Sequence, residues 1–154
     1  MGLGLGLLST AAINGRVIAG APGGIEIAAV ASRDGARAQA YAREHGISRS
    51  HGSYAALLDE PAVDAVYISL PNGLHHEWTM NALEAGKHVL CEKPYTRRPA
   101  DVEAAWDLAA RSGLVVAEAF MWRHHPQARR ARELVESGAI GRLRLLRATF
   151  SFPL

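Results

Sequence analysis

Cysteine is almost absent. The single residue of this type, Cys91, excludes an internal disulfide and any metal site built on several thiolates. It suits a reducing compartment, so a cytoplasmic protein is expected. A charge excess of one sign is also missing, since 17 Lys and Arg face 15 Asp and Glu. The pI of about 9.0 reflects a small surplus of arginine rather than a basic face interleaved with aromatics, which make up 6% of the chain. That balance argues against nucleic acid as a partner. No apolar run approaches the roughly 20 residues that span a bilayer, so no membrane partner is expected. The apolar start, Met1 to Leu8, has no basic segment and is soon interrupted by Ser9, Thr10, Asn14 and Arg16. It reads as a first core strand rather than a leader. Internal repeats and low-complexity segments are lacking too.

What is present is enough apolar residue, 49% of 154, for a buried core of single-domain size. Short β-branched or apolar runs alternate with helical patterns, the rhythm of βαβ units. Strands are expected at Leu3–Leu8, Ile25–Ala31, Ala65–Leu70, His88–Cys91 and Leu114–Ala117. A further short strand over Ser50–Ser53 is too polar to assign. Helices are expected at Ala36–His45, Tyr54–Leu58, Leu74–Ala85 and Ala100–Arg111, three of which stop at a glycine: Gly46, Gly86 or Gly113. The fold class is therefore α/β, with a doubly wound parallel sheet. A last helical pattern, Gln127–Glu136, closes at Gly138, and Leu143–Phe152 turns β-like. This final run is expected to be the first strand of a second, α+β domain, which divides the chain into residues 1–141 and 142–154.

A dinucleotide site in such a sheet needs a tight turn after the first strand and small residues where the backbone meets the pyrophosphate. Gly2, Gly4 and Gly6 come too early, because they lie within the strand. The turn itself is Ser9-Thr10-Ala11-Ala12-Ile13-Asn14, with Ser9, Ala11 and Asn14 where three glycines or alanines usually stand. Hydroxyls of Ser9 and Thr10 could donate to phosphate oxygens. An ordinary turn with Ser or Thr capping the next helix fits equally well. After the second strand come Ser32, Arg33 and Asp34. An NAD site presents a carboxylate here, whereas a 2′-phosphate calls for hydroxyl and guanidinium groups. Asp34 is placed to cap the following helix, which leaves Ser32 and Arg33 to favour NADP over NAD.

The string Ala85-Gly86-Lys87-His88-Val89-Leu90-Cys91-Glu92-Lys93-Pro94 carries a strand and then a carboxylate and an amine to the sheet edge where ligands bind. Lys93 there could polarise or deprotonate a substrate hydroxyl. Glu92-Lys93 alone would equally be a surface pair. The whole string, however, resembles a signature of the glucose-fructose oxidoreductase, inositol dehydrogenase and MocA (Gfo/Idh/MocA) family. So do Leu70-Pro71-Asn72-Gly73-Leu74-His75, Ala119 to Pro126, and Gly138-Ala139-Ile140-Gly141. Leu8-Ser9-Thr10-Ala11 and the Trp-Arg-His-His-Pro run at 122–126 are most similar to the branch of NADP-dependent xylose and dihydrodiol dehydrogenases.

The resemblance implies a Rossmann-type NAD(P)-binding domain followed by a substrate domain. It also implies an oxidoreductase that passes hydride between NADP(H) and a sugar, polyol or cyclic diol, in a full-length protein expected to be a homo-oligomer. On this reading Lys93 is the catalytic lysine and Glu92 lies by the nicotinamide ribose. Leu70, Pro71, Asn72 and His75 line the cofactor, together with Ser9, Thr10, Ala11, Ile13, Ser32 and Arg33, and Arg123 stands near the mouth of the site. The phosphate-turn glycines of the family are absent. The active-site histidine and acidic partner of its second domain have no counterpart in these residues. The alternative is a non-catalytic dinucleotide-binding or redox-sensing module of the same fold, for which Glu92-Lys93-Pro94 would have no use.

The pairs His75-His76 and His124-His125 do not suggest a metal, because adjacent side chains diverge and no carboxylate or thiol completes a tetrahedral set. Cys91 and His88 are expected to be structural. Trp78 and Trp106 should cover the sheet, and Trp122 could floor the pocket.

Overall fold

A computed structural model describes residues 2–151. Six strands, β1 (Leu3–Leu8), β2 (Ile25–Ala31), β3 (Arg49–His51), β4 (Ala65–Ile68), β5 (His88–Cys91) and β6 (Val116–Glu118), form one sheet in the order β3-β2-β1-β4-β5-β6. Every pairing is parallel. The order reverses between β1 and β4, so the loops leaving these two strands part in opposite directions and open a crevice at their carboxyl ends.

Helices α1 (Asn14–Gly20), α2 (Gly35–His45), α3 (Tyr54–Leu58), α4 (His75–Glu84) and α5 (Pro99–Ser112) connect the strands. Asp34 caps α2 by accepting from the Ala36 and Arg37 amides at 2.9 and 3.2 Å, its expected role. Gly46 and Gly113 end α2 and α5 at φ 68° and 67°, a conformation glycine adopts without a Cβ penalty.

The helices bury apolar stripes on both faces of the sheet. On one face Leu8, Ala29, Val66, Ile68 and Cys91 pack with Leu57, Leu83 and Ala105, and Trp78 and Trp106 cover this layer as expected. On the other, Leu5, Leu7, Val30 and Tyr67 meet Ala42 and Ile47, with Ile13, Val17 and Tyr41 at the margin. His88 accepts from the Val115 amide at 2.9 Å and is structural.

Burial pushes the Cys91 thiol up to about 12, with smaller contributions from Glu118 and Glu92. Burial likewise raises the phenols of Tyr67 and Tyr95 above 10.0. The unfolded chain ionises these groups first, from 9.0 for the thiol. Their contribution to stability is therefore complete below that pH and is lost as the pH rises toward the folded values. Thermal melts between about pH 7 and 10.5 should show a melting temperature that falls only above roughly pH 9.

The chain divides into two compact units, one through Ala119 and one from Phe120. In the second unit α6 (Pro126–Glu136) is tied by surface pairs Arg130–Glu133 and Arg132–Glu136, and it buries no residue. The expected strand over Leu143–Phe152 is not formed across 143–151, and Phe152 lies outside the described residues. A strand is stable only within a hydrogen-bonded ladder, and no ladder includes this run among the described residues.

Among the described residues no helix is long and apolar enough to cross a membrane. None of them forms a cluster of three or more His, Cys, Asp or Glu able to hold a metal.

Candidate active site

The loops after β1, β2 and β4 line one cleft of about 610 Å³ at the point where the strand order reverses. Ser9, Thr10 and Ala11 come from the first loop, Ser32 and Arg33 from the second, and Leu70 and Pro71 from the third. Seven of the residues expected at a cofactor site from the sequence are thereby brought together. Ile13 is not among them: its side chain packs against the Leu5, Leu7 and Val30 layer.

The β1 turn is held by a buried polar network rather than by glycines. Ser9 Oγ lies 2.6 Å from Ser69 Oγ, and Ser69 Oγ donates to Asn14 Oδ1 at 2.6 Å. Asn14 Nδ2 in turn donates to the Ser9 carbonyl at 2.8 Å. Asn14 is fully buried, so each of these groups needs its partner. Ser9 stands at φ 154°, backbone that glycine takes more readily, and its hydroxyl helps to hold that geometry by accepting from the Ala11 amide at 3.0 Å. The hydroxyl thus turns into its own loop, and no side chain caps α1. Among the described residues the amides of Thr10, Ala12 and Ile13 donate to no protein acceptor. With only small side chains at Ser9 and Ala11, this is a donor set that fits a phosphate group.

At the β2 end of the cleft, Ser32 Oγ accepts from the Asp34 amide at 3.2 Å, and the Asp34 carboxylate is committed to α2. Arg33 and Arg37 both line the cleft, and neither forms an ion pair among the described residues. Arg37 was missed in the sequence, although it lies one turn beyond Arg33 once Asp34 starts the helix.

The β4 loop also borders a second cleft, of about 690 Å³, where Asn72 and Gly73 face Pro94 and Tyr95. Between β5 and this cleft come Glu92 and Lys93, and the Lys93–Pro94 peptide is cis. Glu92 Oε1 accepts from the Tyr67 hydroxyl at 2.7 Å, and its Oε2 accepts from the Lys93 amide at 3.2 Å. Lys93 is exposed, and its amine has no partner among the described residues. The other lysine, Lys87, is spent on structure, since its Nζ donates to the carbonyls of Val63 and Glu60 at 2.8 and 3.2 Å.

His75 is expected from the sequence to line the cofactor. It is 1% exposed, with Nδ1 2.9 Å from the Pro94 carbonyl and Nε2 2.8 Å from the Leu70 carbonyl. The first residue of α4 points inward, so the ring ties the two loops together from beneath. His76 diverges to meet the Tyr95 hydroxyl at 2.9 Å.

A family model described as an oxidoreductase family with an NAD-binding Rossmann fold, GFO_IDH_MocA, matches residues 3–120. The chain belongs to the Gfo/Idh/MocA oxidoreductase family. Among its relatives, D-xylose 1-dehydrogenase (NADP(+)) 2 of Haloferax volcanii is 50% identical over 129 residues, 84% of this chain and 39% of the relative. The dTDP-3,4-didehydro-2,6-dideoxy-α-D-glucose 3-reductase of Streptomyces violaceoruber is 50% identical over 128 residues, 83% of this chain and 37% of the relative. A 3-ketoreductase from Actinomadura kijaniata, solved with NADP and TDP-benzene, superposes with a TM-score of 0.82 at 38% identity over 90% of this chain and 43% of that one. The chain thus spans about two-fifths of the length of these family members. Arg123 and Trp122 fall in the second unit, in a 3-10 turn over Met121–His124.

Proposed function

We propose that this chain is the NADP(H)-binding part of an oxidoreductase acting on a sugar, polyol or cyclic diol, and that it supplies Lys93 as the catalytic acid–base group. The observation that carries this reading is the cleft at the strand-order reversal, which combines the Thr10 amide, unengaged among the described residues, with the guanidiniums of Arg33 and Arg37, which form no ion pair among them, while the unengaged amides of Ala12 and Ile13 follow in the same turn. The amides suit the pyrophosphate and the guanidiniums the 2′-phosphate. Ser32 closes that end of the cleft, where Asp34 Oδ1 is engaged in capping α2. When bound, nicotinamide would supply the two-electron exchange. Pro71 and Asn72 would border it, and Lys93 would hold or move the proton of the substrate hydroxyl. An unpartnered lysine beside a held carboxylate favours this over a non-catalytic sensing module. The reductase relatives, whose named substrates carry a nucleoside diphosphate, widen the candidate substrates to nucleotide-linked sugars.

Arg33→Ala should weaken NADPH binding by about 1.5 to 3 kcal/mol, the worth of a charge-assisted hydrogen bond, while leaving NADH nearly unchanged. Arg37→Ala should act in the same direction. Fluorescence titration of the 154-residue chain with both nucleotides checks this. Equal affinity for the two in the unmodified chain would refute the preference for NADP.

A further inference from the structure

Tyr67 lies in β4 and is 2% exposed, within the layer of Leu5, Leu7, Val30 and Ile47. Phenylalanine would fill the same space, so the hydroxyl calls for its own explanation. Its one hydrogen bond among the described residues goes to Glu92 Oε1, at 2.7 Å. The register brings this about. Tyr67 is opposite Leu90 on β5, and Glu92, two residues further on, returns to the same face of the sheet. Burial first, and then the adjacent carboxylate, push the phenol's pKa up, so it remains a donor across the neutral range. With Tyr67 on one oxygen and the Lys93 amide on the other, the carboxylate is clamped. No Lys or Arg pairs with it among the described residues, and each oxygen keeps acceptor capacity.

We propose that Tyr67 is a positioning residue, a buried donor from the neighbouring strand that aims the Glu92 carboxylate at a hydroxyl of the nicotinamide-side ribose. The inference rests on the reading of this chain as an NADP(H)-binding domain. Tyr67 touches no cofactor itself and acts through Glu92. Without the hydroxyl, Glu92 would keep its charge but lose one of its two fixed bonds, and part of its binding contribution would go into restoring its orientation.

The test uses the 154-residue chain and two ligands, NADPH and 2′,5′-ADP, the latter carrying the 2′-phosphate but no nicotinamide ribose. Titration calorimetry is run on the parent, Tyr67→Phe, Glu92→Ala and the double variant, and thermal melts verify folding. Tyr67→Phe should weaken NADPH about 5- to 10-fold, leave 2′,5′-ADP within about twofold, and have no further effect once Glu92 is alanine. Equal weakening of both ligands would mean a general loosening of the domain and would overturn the proposal. So would an unchanged NADPH affinity in Tyr67→Phe, or an undiminished Tyr67 effect in the Glu92→Ala background. If Tyr67→Phe fails to fold, Glu92→Ala decides, since unchanged NADPH binding there would leave nothing to position. A parent that binds neither ligand would overturn the nucleotide-binding reading itself and this inference with it. A parent that binds 2′,5′-ADP, with variants that fail to discriminate, would overturn this inference alone.

Discussion

Replacing Lys93 with alanine should lower turnover by about 100- to 10,000-fold, the range a positioned acid or base contributes. The affinity for NADPH should stay within about twofold, because the Thr10 amide and the Arg33 and Arg37 guanidiniums, to which the proposed site assigns the phosphates, are untouched. The measurement is made on this chain joined to the remaining length that its relatives have, with a panel of sugars, polyols and nucleotide-linked sugars. Lys93→Arg should not restore activity, since a guanidinium does not give up its proton in a protein. The specificity of the effect follows from how the two lysines are used. Lys87 is bound to two carbonyls, whereas the Lys93 amine is exposed and has no partner among the described residues, next in sequence to a clamped carboxylate. Full activity in Lys93→Ala would move the proton transfer to another group. His75 is a poor candidate, because it is buried with each ring nitrogen facing a backbone carbonyl in the interior.

Much of this arrangement was legible in the sequence, and the parts that were not share a physical cause. Strands β1, β2, β4 and β5 are short apolar runs bounded by helix stops, so periodicity alone locates them. β3 is Arg49-Ser50-His51, an edge strand with one paired neighbour, and its polarity hid it. The cleft was recognisable because loop position after a strand is a local property: Ser9, Ser32 and Pro71 each follow a strand that could be seen. Side-chain partnerships across the sheet were not local. Ser9 and Ser69 are 60 residues apart, Asn14 and Ser69 are 55 apart, and Tyr67 and Glu92 are 25 apart. No spacing rule relates such positions until the strand register is known. That is why Asn14 read as a poor substitute for glycine when it is a strut of the turn, and why Tyr67 was not singled out. The inward turn of His75 was hidden for the same reason, since its partners come from two different loops. The β-like pattern of Leu143–Phe152 records a tendency, whereas a strand also needs a ladder to join, and none includes residues 143–151 among the described residues.

The glycines that precede the phosphate turn should prove essential for packing rather than for phosphate. Gly4 and Gly6 lie within β1, where the sequence had already discounted them as ligand contacts. A Cβ on Gly4 would run into the Ala62 carbonyl oxygen, which belongs to backbone and cannot swing aside. The same residue is fixed from both ends, its amide donating to Asp64 Oδ2 and its carbonyl accepting from the Asp64 amide, each at 2.8 Å. Strand β1 therefore cannot move away without breaking its tie to the segment that leads into β4. On Gly6 a Cβ would meet Leu57 Cδ2 at 2.7 Å and Val63 Cγ1 at 3.1 Å, side-chain atoms with some freedom to rotate. Gly20, at the end of α1, has nothing within 4 Å. Alanine substitutions should accordingly rank Gly4 as most damaging, then Gly6, with Gly20 close to neutral. Overpacking a tight interior costs about 1 to 3 kcal/mol, and a backbone clash with no escape lies at or beyond the upper end. For a chain of this size, 3 kcal/mol corresponds to a fall of roughly 6 to 12 °C in melting temperature. Thermal melts of the three variants, monitored by circular dichroism, check the order. A Gly4→Ala protein that melts within about 2 °C of the parent would show that β1 can shift and that the contact with Ala62 is not the constraint.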